Sequence, residues 1–270
     1  MSQTRHPAVA GSFYPRNPDA LSSDVARMLQ EAETKIDQSL PPKALIVPHA
    51  GYMYSGPIAA TAYARVKPAK DRIKRVVLLG PVHRVPVMGL ALPDTDAFAT
   101  PMGEVPLDLE AMDSIRSLPQ VVVSEAAHAQ EHSLEVQLPF LQQVLGDFKL
   151  VPLAVGNTTP DDVADVLEQL WGGEETLIVI SSDLSHYLPY NEAKQIDGYT
   201  ARMILDLHST VNHEQACGGT PVNGLLVAAR RHGLIPKLLD LRNSGDTAGN
   251  PEHVVGYGAF AFYKDSDNVH

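Results

Sequence analysis

Hydrophobic positions along this chain follow two rhythms. Short uninterrupted apolar runs, such as Ala44-Leu45-Ile46-Val47, Val76-Val77-Leu78-Leu79, Leu150 to Val155 and Thr176 to Ser182, read as buried strands. Between them, apolar residues recur every third or fourth position, the mark of one-sided helices. Leu21, Val25, Met28, Leu29 and Ala32 make one such face, opened by Asn17-Pro18 as N-cap and first-turn proline. Val163, Val166, Leu167 and Leu170 make another, behind Thr159-Pro160-Asp161-Asp162. Ala193, Ile196, Thr200, Met203, Ile204 and Leu207 make a third, and Leu225 to Arg231 a fourth that closes at Gly233.

Weaker patterns fill the rest. Helices are expected from about Ser55 to Val66, from Leu107 to Leu118, and on Leu134, Leu138, Leu141 and Leu145. In the last of these Ser133 is the expected cap, and Pro139 must kink the helix or lie in its first turn. Val85 to Leu92, Val121 to Val123, Val254-Val255 and Gly258 to Tyr263 read as strands. Ala8 to Pro15 reads as irregular, Ala99 to Gly103 as a loop, and Lys35 to Pro42 as a surface connection. Strands alternating with helices predict an α/β fold, a three-layer sandwich over residues 1–270 as one domain, with a polar tail from about 264.

The punctuation after the strands carries the chemistry. Pro48 stops the first apolar run because it has no N–H to give, and His49 follows, with Gly51 to turn the chain. Gly80-Pro81-Val82-His83 repeats the arrangement, and His186 follows the strand that ends at Ser182-Asp183. In an open α/β sheet, ligands bind at the carboxyl ends of strands. Two imidazoles with one anionic ligand and open positions suit Fe(II) or another borderline metal, whereas a histidine that merely caps a strand needs no metal. His132 stands just ahead of an expected helix. Asp183 and His186, three apart, can face the same pocket, and Tyr52 and Tyr54 beside His49 read as pocket walls or as buried core tyrosines. Cys217, beside Gly218-Gly219 and ahead of a helix, reads as a thiolate ligand or nucleophile, or as a buried inert thiol.

His128-Ala129-Gln130-Glu131-His132 matches an inverted zinc-peptidase signature. That chemistry needs both histidines on one helical face, and an N-cap at Ser133 puts the motif ahead of the helix, so the peptidase reading is set aside. No phosphate-binding glycine loop and no nucleophile-elbow motif is present.

Composition narrows the partners. The 270-residue chain has a formal net charge of −11 and one cysteine, which rules out an intramolecular disulfide. Its one short basic run, Lys67 to Arg75, is interrupted by Asp71. Nucleic acid and anionic membranes are therefore poor partners. Ser2 to Pro7 lacks a signal-peptide core and no apolar run approaches a membrane span, so a cytoplasmic location is expected.

Several stretches together resemble the MEMO family, which includes component B of the AmmeMemoRadiSam set. They are Ala10 to Pro15, Pro48-His49-Ala50-Gly51-Tyr52, Gly80-Pro81-Val82-His83, Glu131 to Phe140, Ser181-Ser182-Asp183 with His186, the Cys217 loop, Ser244-Gly245-Asp246 and Val254 to Tyr257. The resemblance implies a LigB-like α/β/α sandwich with a mixed central sheet, similar to class III extradiol dioxygenases. It implies a divalent metal, Fe(II) foremost with Cu or Zn as alternatives, on His49, His83 and Cys217. His186 then takes the acid/base position, with His132, Asp183 and Tyr54 lining the same pocket. Those dioxygenases place a carboxylate where this chain has Cys217, so their ring-cleaving reaction does not transfer with the fold. The expected function is a metal-dependent oxidoreductase. Its rivals are a non-catalytic module that takes a peptide or protein, and a zinc hydrolase. The ligand expected in the His/Cys pocket is a small molecule or peptide, and the resemblance implies AMMECR1-like and radical SAM proteins as pathway partners.

Overall fold

The computed structural model of the chain describes residues 3–33 and 41–265. The connection expected over Lys35 to Pro42 and the polar tail therefore lie almost wholly outside the described residues. The strands are β1 (Thr4–Arg5), β2 (Ala44–Val47), β3 (Arg75–Pro81), β4 (Leu90–Leu92), β5 (Ala97–Thr100), β6 (Gly103–Pro106), β7 (Val121–Val123), β8 (Lys149–Val155), β9 (Thr176–Ser181), β10 (His186–Leu188), β11 (Leu234–Asn243) and β12 (Val254–Lys264). The α-helices are α1 (Pro18–Glu33), α2 (Tyr52–Tyr63), α3 (Leu109–Ile115), α4 (Glu125–Ala129), α5 (Leu138–Leu145), α6 (Pro160–Leu170), α7 (Tyr190–Leu205) and α8 (Gly219–Arg231).

Nine strands form the main sheet in the order β10-β12-β2-β9-β3-β8-β4-β7, with β11 on the free side of β12. At its centre β2, β9, β3 and β8 run parallel, and β12 and β4 enter antiparallel, so the sheet is mixed. Every residue of β2 and β9 is buried. That is why these strands read as continuous apolar runs: helices cover both faces. Helices α1, α2 and α5 pack together as one layer, α3, α6 and α8 as the other, and α7 lies on β11 and β12. The result is an α/β/α sandwich. A small sheet, β1-β5-β6, stands apart from it.

Side-chain caps open four of the eight α-helices, α1, α3, α4 and α6. Asn17 Oδ1 accepts the Ala20 N–H at 2.9 Å, and Thr159 with Asp162 closes a reciprocal capping box on α6. Three expectations need correction. The segment from Val85 to Leu92 is a strand only from Leu90, because Pro86 cannot donate to a ladder and Gly89 turns with φ +93°. The loop at Ala99 to Gly103 is the tip of the β5–β6 hairpin, where Thr100 Oγ1 accepts the Met102 N–H at 3.0 Å. Ser133 does not cap a helix. Its hydroxyl donates to the Pro81 carbonyl at 2.9 Å, a single turn of 3-10 helix spans Glu135–Gln137, and Pro139 lies in the first turn of α5.

Candidate metal centre

Because β2, β9 and β3 are adjacent and parallel, their carboxyl ends open onto one crevice. From β2 the chain delivers His49, from β3 His83, and from β9 Asp183 and His186. His132 arrives from the turn after α4. One ring nitrogen each from His49, His83 and His132 fall within 4.8 Å of one another, a group able to hold a metal ion. The ring centroids lie 5.2 Å apart for His49 and His83, 5.4 Å for His49 and His132, and 4.6 Å for His83 and His132.

Hydrogen bonding decides which nitrogens are free. The Ser181 hydroxyl has one proton and donates it to the Ser133 carbonyl at 2.6 Å. It can therefore only accept from its other partners, Gln137 Nε2 at 2.8 Å and His49 Nδ1 at 2.9 Å. His49 accordingly carries its proton on Nδ1 and leaves the Nε2 lone pair open. His83 reaches the same state by another route, giving Nδ1–H to Glu131 Oε1 at 2.8 Å. Glu131 also accepts the backbone N–H of His83, His132 and Ser133 at 2.6, 2.9 and 2.9 Å. Burial pushes its carboxyl up, but the hydrogen bond from His83 and these amides outweigh it and bring the pKa down to about 2. Glu131 is ionised, and partners of this kind orient metal-binding imidazoles and raise their basicity.

Desolvation, with the neighbouring imidazoles, drives His49 well below the ordinary histidine value, and burial brings His132 down to about 4. Both rings are neutral lone-pair donors near neutral pH. Cys217 Sγ lies 3.3 Å from His49 Nε2. Its loop is tied to the end of β9, with Cys217 N–H on the Asp183 carbonyl at 3.3 Å and Gly218 N–H on Ser182 Oγ at 2.9 Å. A Cβ at Gly218 would sit 2.7 Å from Ser182 Oγ, so the approach requires glycine. In the protein alone, burial and then the Asp183 charge push the Cys217 thiol up to about 12, and burial lifts Asp183 to about 7. A bound cation would reverse both trends. Neutral imidazoles suit a borderline metal, and the group able to hold one is His49, His83 and His132, with Cys217 beside His49 but outside that group.

The remaining expected residues take distinct places. Asp183 Oδ1 accepts the His49 backbone N–H at 2.7 Å, and its Oδ2 lies 4.0 Å from His49 Nε2. His186 lines a cavity of about 960 Å³ together with His83 and Cys217. Tyr54, on the first turn of α2, packs against the hydrophobic core. His128 parts company with His132: its Nε2 is 2.8 Å from the Ala91 carbonyl, inside the core, and the two do not share a helical face.

Two supports lay outside the expected site. Besides Glu131, a buried ion pair fastens the N-terminal segment beneath the His132 turn. Arg5 bonds Glu135 at 2.7 Å and the carbonyls of His128 and Glu131 at 2.8 and 2.6 Å. Glu135 also accepts from Ala8 N–H, Val9 N–H and the Tyr14 hydroxyl. The same segment brings the Phe13 ring to 4.8 Å from His132. The sequence signals for this were the shared motif blocks Ala10 to Pro15 and Glu131 to Phe140.

Fold and site define an α/β protein with three histidines, able to hold a metal ion, at the carboxyl edge of its sheet. Residues 5–261 match the family model described as Memo-like protein. A MEMO1 family protein of Archaeoglobus fulgidus is 34% identical over 275 residues, covering 96% of this chain and 99% of the relative. One from Aquifex aeolicus is 37% identical over 267 residues, covering 94% and 97%. The chain belongs to the Memo-like family. A solved structure of an uncharacterized Escherichia coli K12 protein superposes with TM-score 0.49 at 15% identity, over 80% of this chain and 98% of that one, and adds nothing to the assignment. No helix among the described residues is long and apolar enough to cross a membrane.

Proposed function

We propose that this protein is a metal-dependent oxidoreductase that holds iron on His49, His83 and the Cys217 thiolate, with His132 as the adjoining donor. The observation that carries this reading is the convergence of the three imidazoles with Cys217, each of His49 and His83 having its second nitrogen already committed. An iron ion bound there would supply redox chemistry with dioxygen and open positions for an oxygen-bearing substrate. The protein's own groups do the rest. His186 faces the cavity beside His83 and Cys217, and burial holds its pKa below the ordinary value, so it is a neutral proton acceptor for a substrate hydroxyl. Asp183 fixes the backbone of His49, and Glu131 fixes both backbone and ring of His83. The Phe13 ring packs tilted against His132, with 4.8 Å between centroids.

The test is dioxygen uptake by anaerobically reconstituted Fe(II) protein offered catechols and other compounds with vicinal oxygens. Turnover is expected in the wild type. His186→Ala should keep its iron and lose about 100-fold or more of that turnover. Full iron loading with no uptake on any such compound would contradict the oxidoreductase reading. Ester turnover by the zinc-loaded protein would instead favour the hydrolase.

A further inference from the structure

The crevice has two lobes, and they differ in charge. The larger, about 960 Å³, takes one wall from α7, where Glu192, Gln195, Ile196 and Tyr199 share a helical face. Its opposite wall is the loop that carries Glu214, and its lining holds two carboxylates and neither lysine nor arginine. The second, about 520 Å³, is lined by Arg84, Asn157, Thr158 and Thr220, with no carboxylate. His83, His213 and Cys217 line both, so the metal centre sits at the junction. Arg202, 6.0 Å from the Tyr199 ring centroid, lies outside both linings.

The charged side chains of these walls are uncommitted. Most other charges near the site are engaged: Glu131 with His83, Arg5 with Glu135, Asp183 with the His49 amide. Glu192, Glu214 and Arg84 have no side-chain hydrogen bond or ion pair among the described residues. His213, between the lobes, keeps its ring near the Cys217 carbonyl and Thr220 Oγ1, both at 3.4 Å. In a chain of net charge −11, an arginine left unpaired beside the metal centre is the local exception.

From this geometry we infer that the site binds an elongated bipolar small molecule, with a cationic amine or guanidinium in the Glu192/Glu214 lobe and an anionic carboxylate in the Arg84 lobe. The stretch between the two charges then passes over His83 and Cys217, where the reacting group belongs. Complementary charge in a cleft adds orientation as much as affinity. The same ligand turned end for end would meet repulsion at both ends, and a singly charged one would lose one anchor. This inference gives the substrate class for the oxidoreductase reading, but the binding it describes does not need turnover.

The test is calorimetric titration with aminohexanoate, hexanoate, hexylamine and hexamethylenediamine, on protein whose metal content is measured on the same sample. Aminohexanoate should bind about fivefold more tightly than hexanoate or hexylamine, the size of one good exposed charge contact. Arg84→Gln should erase the advantage over hexylamine, and Glu192→Gln with Glu214→Gln the advantage over hexanoate. Arg84→Glu should turn the preference toward hexamethylenediamine, a gain that a misfolded variant cannot produce. Equal binding of the four probes to metal-loaded protein, or an unchanged ranking in Arg84→Glu, would overturn the inference. Bipolar preference in a protein that shows no redox turnover would leave it standing while the oxidoreductase reading falls.

Discussion

At the end of β2, His49 keeps 2% of its surface exposed and gives its Nδ1–H to a neutral hydroxyl. At the end of β3, His83 leaves 30% of its side chain exposed and gives its Nδ1–H to an ionised carboxylate. Both histidines follow a strand and a proline, yet their surroundings assign them different work. His49 is a fixed floor, clamped by Ser181 and Asp183 and kept neutral by burial. His83 faces the cavity with its ring held by the ionised Glu131, which makes it the candidate donor that the protein tunes. Local sequence placed both at the crevice; the partner of each was chosen by tertiary packing.

The largest blow to this contrast would fall beneath the His83 side. Glu135→Ala strands the Arg5 guanidinium in the core, and urea unfolding should show a loss of about 3–5 kcal/mol. A loss under about 1 kcal/mol would mean that the N-terminal segment does not support the site. Next comes Glu131→Gln, which keeps the shape and removes the charge. Titration with Zn(II) or Co(II) should find binding about 10–100-fold weaker. Ser181→Ala removes a neutral hydrogen bond of about 1 kcal/mol, so the same titration should show roughly a fivefold loss. A Ser181→Ala effect larger than that of Glu131→Gln would invert the assignment of floor and tuned donor.

The smallest effect concerns the third strand end. After β9, Ser185 N–H is held by Asp197 Oδ1 at 3.0 Å, and burial lifts this carboxyl to about 6. A raised acid keeps its proton in the folded state while the unfolded chain has lost it. Its contribution is therefore fully present below the ordinary aspartate value and lost as the pH rises through about 6. Urea midpoints of wild type should fall between about pH 4 and 6 relative to Asp197→Asn, in which that slope disappears. Parallel profiles for the two proteins would remove Asp197 from the account.

Much of this architecture was legible in the chain, and the reasons are local. Ala44 to Val47 and Val76 to Leu79 announce strands because central parallel strands are apolar throughout. His49 and His83 announce a site because each follows a buried apolar run and a proline. The hairpin at β5–β6 was hidden because Thr100-Pro101-Met102-Gly103 is turn chemistry flanked by only short strands. Glu131 was hidden for a different reason. It meets His83 from 48 residues away, and the motif that contains it suggests a helical pairing with His128 that the end of α4 at Ala129 forbids. Ser181 meets His49 across 132 residues, and apart from the shared Ser181-Ser182-Asp183 stretch nothing marks it as more than the last residue of a strand.

The most direct measurement is iron content by elemental analysis after anaerobic reconstitution, on wild type, His49→Ala, His83→Ala and Cys217→Ser. Near-stoichiometric iron in the wild type, lost in both histidine variants and weakened in Cys217→Ser, is the predicted result. Wild-type protein that retains no iron under any loading condition, or a His83→Ala variant that retains as much as the wild type, would contradict a metal centre built on these strand ends.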